Sequence, residues 1–106
     1  MASNSYMGHL DSARVDVAML RDAARGYDAV ADAVAHARTH LARLTFDGAV
    51  AGRSHAVRGD ALRGAVDRID DGMRRWAEAA AAVAAALRSS ADRYAAADAD
   101  AARRLG

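Results

Sequence analysis

Apolar residues recur at alternating steps of three and four along two long stretches, and no proline interrupts either one. The first stripe runs Leu20, Ala23, Tyr27, Val30, Val34, Ala37, Leu41, Leu44, and the second runs Leu62, Val66, Ile69, Met73, Trp76, Ala80, Val83, Leu87, Ser90, Tyr94. A three-four alternation sets side chains in one row along an α-helix. Without proline nothing in the chain breaks a helix outright. Between the stripes lies Thr45-Phe46-Asp47-Gly48-Ala49-Val50-Ala51-Gly52, whose two glycines, four apart after an aspartate, read as a turn.

The fold class expected is therefore all-α: an antiparallel two-helix hairpin in a single domain covering residues 1–106. Residues 1–11 read as a flexible leader, with Asp11 or Ser12 capping the first helix. The turn is expected at 45–52, the second helix from Arg53 or Ser54, and a frayed tail from about 99 to 106. Helix one should be about 50 Å long and helix two about 60 Å.

The hydrophobic fraction of 53% is mostly alanine, with one Trp, one Phe and three Tyr. Alanine favours helix and adds little core volume, so long helices with a thin core follow. One hairpin covers one stripe of each helix, and apolar flanks remain at Val15, Met19 and Val57. A partner is therefore expected, either a second copy or a different helical hairpin protein, giving a four-helix bundle as homodimer or heterodimer. The residues of the hairpin or partner seam are Leu20, Tyr27, Val30, Val34, Leu41, Leu44, Leu62, Val66, Ile69, Met73, Trp76, Val83 and Leu87. Of these, Trp76 and Leu41 are expected to be substantially buried, with Trp76→Ala costing about 3–5 kcal/mol.

Several classes are disfavoured. The net charge is +1, and aspartates lie among the fifteen arginines, so no basic stripe points to nucleic acid. The longest apolar run, Ala79–Leu87, is too short for a membrane span. The first ten residues lack the basic and apolar regions of a general signal peptide. There is no cysteine, which rules out disulfides and thiolate metal sites. His36 and His40 are four apart and can share one metal on a helix face, but no third ligand is at hand, so two solvated histidines is the better reading and no cofactor is expected. No nucleophile-base-acid set or phosphate loop is recognisable, and the chain does not read as an enzyme. Asp70 and Asp71 are expected to bridge to Arg74 and Arg75 along their own helix.

Two short motifs stand out. Phe46-Asp47-Gly48 lies in the expected turn, where the plain reading is a buried aromatic plug with Gly48 at positive φ. Tyr94-Ala95-Ala96-Ala97-Asp98 puts an aromatic and a carboxylate one helical turn apart, and the plain reading is a stripe-end tyrosine beside a solvated aspartate. A hairpin of about one hundred residues with an aromatic-x-Gly turn and Tyr-x-x-x-Asp late in helix two resembles the WXG (ESAT-like) family of ESX type VII secretion substrates, known from mycobacteria and other actinobacteria. Phe46 stands where that family carries tryptophan, which brings the chain closer to the Esp-type secretion-associated proteins.

The resemblance implies a virulence-associated protein that leaves the cell folded, as a hairpin dimer, through type VII secretion, with a secretion ATPase or adaptor as partner. It implies that Tyr94 and Asp98 form the export signal, and that Phe46 and Gly48 are the turn motif. Asp98 is expected beyond the end of helix-one coverage, on a protruding helix end. The alternative is a cytoplasmic helical adaptor or chaperone subunit that covers a partner's groove and is not exported.

Overall fold

The computed structural model describes the backbone over residues 2–51 and 56–105, and the side-chain surroundings of residues 8, 11–46 and 58–105. The chain is all-α. Helix α1 spans Ala2–Ala51 and α2 spans Ala56–Leu105, and the two form a hairpin. Each has 50 residues, so each is about 75 Å long.

Both helices outrun their expected ends. The leader at 2–11 is the start of α1, so neither Asp11 nor Ser12 caps it. Thr45–Ala51, expected as turn, is its last two turns. Gly48 lies within α1, and no glycine among the described residues has positive φ. Gly52, Arg53 and Ser54 lie outside the described residues, and α2 is described from Ala56. The tail from 99 is helical through Leu105, with Arg103 and Arg104 in the last turn, where cations suit the helix dipole. The physical reason is common to all of these. With no proline, a glycine costs only about 1 kcal/mol against alanine, too little to stop a helix whose neighbours favour it.

The chain divides into two compact units. Unit 1 joins Met1–Asp28 with Ala82–Gly106, and unit 2 is Ala29–Ala81. In unit 1 the fully covered residues are Ala24, Ala84 and Ala91. Around them Val17, Leu20 and Leu87 are half-buried. Two ion pairs tie the helices across this seam: Arg21 to Asp92 at 3.1 Å, and Arg88 to Asp28. Their order, 21 with 92 and 28 with 88, is antiparallel.

In unit 2 the buried residues are Val34 and Ala80, flanked by half-buried Ala31, Leu41, Val66, Met73 and Ala77. With Val34 and Val66 set at heptad position a, the packed positions are a and e on both helices. The expected stripe took a and d. Its a positions hold for Val34, Leu41, Val66 and Met73, but its d positions turn outward: Val30 is 37% exposed, Leu44 55%, Leu62 55%, Ile69 54% and Trp76 59%. Trp76 is therefore no core residue of the hairpin, and its truncation does not open a cavity there. Leu41 is half-buried. In unit 1, Tyr27 and Val83 of the expected stripe are likewise exposed. Small e residues such as Ala77 let the backbones come close, and the close approach pushes the bulky d residues to the flank.

Candidate functional site

Tyr94 and Asp98 both belong to unit 1 and to one unbroken helix, so they lie one turn apart on nearly the same face. Tyr94 is 58% exposed. It borders a shallow recess with Ser90, Arg93 and Ala97, where the Arg93 guanidinium donates to the Ser90 hydroxyl at 3.3 Å. Alanine occupies all three intervening positions, and Ala96 and Ala97 are exposed, so nothing bulky on α2 stands over the ring.

Asp98 departs from expectation. It is half-buried, and it lines a groove with Ala95, Ala99 and Ala102 of α2 and Arg14 and Val17 of α1. Because α1 starts at Ala2, it still accompanies α2 at this level, and the carboxylate sits at the helix-helix margin of unit 1 and not on a bare end. The pair thus presents an open aromatic plate with an acceptor recessed beside it, and an arginine of the other helix shares the acceptor's groove.

Phe46 of the other motif is 70% exposed on the last turns of α1. It plugs nothing, and Gly48 continues the same helix. The two residues are about 3 Å apart along the axis, but the side-chain surroundings of residues 47–57 lie outside the described residues.

The strongest polar contact in unit 2 escaped the sequence reading. Arg38 donates twice to Asp70, from Nε at 2.8 Å to Oδ1 and from Nη2 at 3.2 Å to Oδ2. A planar guanidinium facing a carboxylate makes this two-pronged bond with charge assistance. The hydrogen bonds from Arg38 hold the Asp70 carboxyl below its ordinary range, against a smaller opposing effect of desolvation. The same bonds raise Arg38 above its ordinary value. Asp71, not Asp70, bridges to Arg74, at 3.0 Å, and Arg75 donates to the Asp71 carbonyl oxygen. The available signal was heptad position: Arg38 and Asp70 are both e residues, and flanking charges at such positions pair between helices.

His36 and His40 are exposed on α1 and share a recess with Arg43. His36 Nδ1 lies 2.9 Å from the Asp32 carbonyl oxygen, a bond in which the ring N–H donates. Among the described residues no three His, Cys, Asp or Glu side chains gather as a metal site.

The chain is thus an all-helical hairpin with an exposed aromatic and a half-buried carboxylate one turn apart late in its second helix. The chain belongs to the family described as excreted virulence factor EspC, type VII ESX diderm, which matches residues 9–106. No curated protein and no solved structure matches it. The family is one of factors excreted through an ESX type VII system. No helix among the described residues is long and apolar enough to cross a membrane.

Proposed function

We propose that this chain is a type VII substrate or secretion-associated factor, exported as a folded helical hairpin paired with another hairpin, and that Tyr94 and Asp98 are the element its secretion machinery reads. The observation that carries the reading is the family match over residues 9–106, which includes both side chains. Exposure of Tyr94 supports it, since a signal on a folded protein must be reachable without unfolding. A receptor pocket can take the tyrosine ring as an apolar plate with a polar tip. A donor beside that pocket can meet Asp98 by a charge-assisted bond along its groove. The continuous helix fixes the spacing between them.

Paired export is supported by the thin seam. The described core of the two units together consists of four alanines and one valine, and large apolar side chains stay open to solvent. The test is a double variant, Tyr94→Ala with Asp98→Ala, expressed in the native host. The expected result is loss from the medium with intracellular protein retained, while the control Ala96→Ser is exported normally. Normal export of the double variant overturns the reading of these two residues and favours an adaptor that stays inside the cell.

A further inference from the structure

Unit 2 has two unlike flanks. Over residues 30–44 of α1 and 62–79 of α2 the d and g positions beside the packed seam carry no Asp, Glu or Arg, and His40 is the one titratable residue among them; Asp47 and Arg58 stand at g positions nearer the helix ends. The b and f positions on the other flank carry Asp32, Asp67, Asp71, Arg74 and Glu78. When both helices of an antiparallel pair pack through a and e, their d positions fall on the same side. Val30 and Leu44 of α1 therefore share one face with Leu62, Ile69 and Trp76 of α2. Those five side chains leave roughly 500 Å² of apolar surface open, within the size range of a monomer's largest patch, which is often functional. Two such patches together reach about 1,000 Å², where specific interfaces begin.

Along α2 the outer face alternates large and small: Ile69, Gly72, Trp76, Ala79 in steps of three, four and three. This pattern is complementary to itself when reversed. If α2 lies antiparallel to another α2 so that facing residue numbers sum to 148, Ile69 meets Ala79 and Trp76 meets Gly72, both ways about the twofold axis. Each bulky side chain then enters the gap left by a small one. Gly72 is open as well: a Cβ there would meet nothing within 4 Å in the hairpin. The fold of one chain does not require a glycine at this position, whereas an incoming indole does.

We infer that the outer α2 face of unit 2 is where a second copy of this chain docks, antiparallel, with Trp76 of each copy seated over Gly72 of the other. The occupant is a second copy because the face from Leu62 to Ala79 carries no Asp, Glu or Arg to select an oppositely charged partner, the net charge of +1 barely opposes self-association, and the large-small order fits its own reverse. The inference deepens the paired-export reading by naming partner and face, and its test does not depend on export.

The absence of cysteine makes single-cysteine variants clean. Ile69→Cys and Ala79→Cys proteins, full length and purified, are oxidised separately and as a mixture. The expected result is a disulfide between the two variants in the mixture and little in either alone, because like residues would lie about 15 Å apart along the axis. Light scattering across a dilution series should give a dimer mass at high concentration, and the emission of the single tryptophan should shift to the red as the dimer dissociates. Gly72→Leu should keep the helical content and low-concentration melt of the wild type while raising the dissociation constant about tenfold or more. A monomer mass at every concentration overturns the inference, including the case in which the chain pairs only with a different protein. So does a dimer in which Ile69→Cys links efficiently to itself, the mark of parallel pairing.

Discussion

The packed seam of the hairpin and the outer face of its second unit differ by about one residue in register and by most of their bulk. In unit 1 the fully covered residues are all alanine, at 24, 84 and 91. On the outer face of unit 2 stand tryptophan, isoleucine and leucine, each more than half exposed. A chain that needed only its own hairpin would put the large residues inside. Here the helices meet through small side chains and cross-helix ion pairs, and several of the largest apolar side chains stay open to solvent. At about 25 cal/mol per Å², that open surface is significant beside the few kcal/mol that separate a folded small domain from an unfolded one.

The contrast is sharpest in a pair of substitutions that reverse the usual expectation for size. Ala84→Leu adds bulk to a position with no exposed surface, so it should destabilise the hairpin by about 1–3 kcal/mol or more. Trp76→Ala removes the largest apolar side chain, yet at dilutions where the protein is monomeric it should cost about 1 kcal/mol or less, because the ring is mostly in solvent. Thermal melts by circular dichroism at low concentration give both numbers. A severe loss for Trp76→Ala under those conditions would erase the distinction between seam and face.

A smaller effect sharpens the account of what closes unit 2. The Asp70 carboxyl is held below its ordinary value by Arg38. The sign follows from linkage: a depressed carboxylate contributes stability that is fully present above its unfolded pKa of about 3.9 and is lost as pH falls through the lower folded value. Wild-type stability should therefore decline on acidification below about pH 4 more steeply than that of Asp70→Asn, as urea melts between neutral pH and about pH 2 will register. Parallel curves would mean that the Arg38 bond contributes nothing to folding. The smallest effect belongs to Gly26. A Cβ there meets nothing within 4 Å, so Gly26→Ala should stabilise α1 by up to about 1 kcal/mol with no change in assembly.

These results also show which features a sequence can reveal. The helices and their hairpin arrangement are legible because three-four spacing has one physical meaning. The a positions, Val34, Val66 and Met73 among them, are legible for the same reason. The d positions misled because hydrophobicity marks a residue as buried against something without saying what. Leu62, Ile69 and Trp76 are spaced for a seam that the chain does not supply for itself. The helix ends were illegible because their markers, Asp11, Ser12 and Gly48, are weak preferences that a long alanine-rich helix overrides. Arg38–Asp70 was missed because the charges near Asp70 in sequence offered nearer partners. At the candidate export element, Tyr94 could be placed from spacing alone, whereas the recessed setting of Asp98 depended on how far α1 extends.

The central proposal is that folding and export rest on different side chains, with alanines and ion pairs in the hairpin seam and Tyr94 and Asp98 as the element read from outside. The most direct measurement is made on one culture expressing the Tyr94→Ala, Asp98→Ala protein. The purified intracellular protein is melted by circular dichroism, and the medium is blotted beside the cell lysate. The account predicts helical content and a melting temperature close to wild type, with the protein present in the lysate and missing from the medium. A variant that melts like wild type and reaches the medium in wild-type amounts contradicts it.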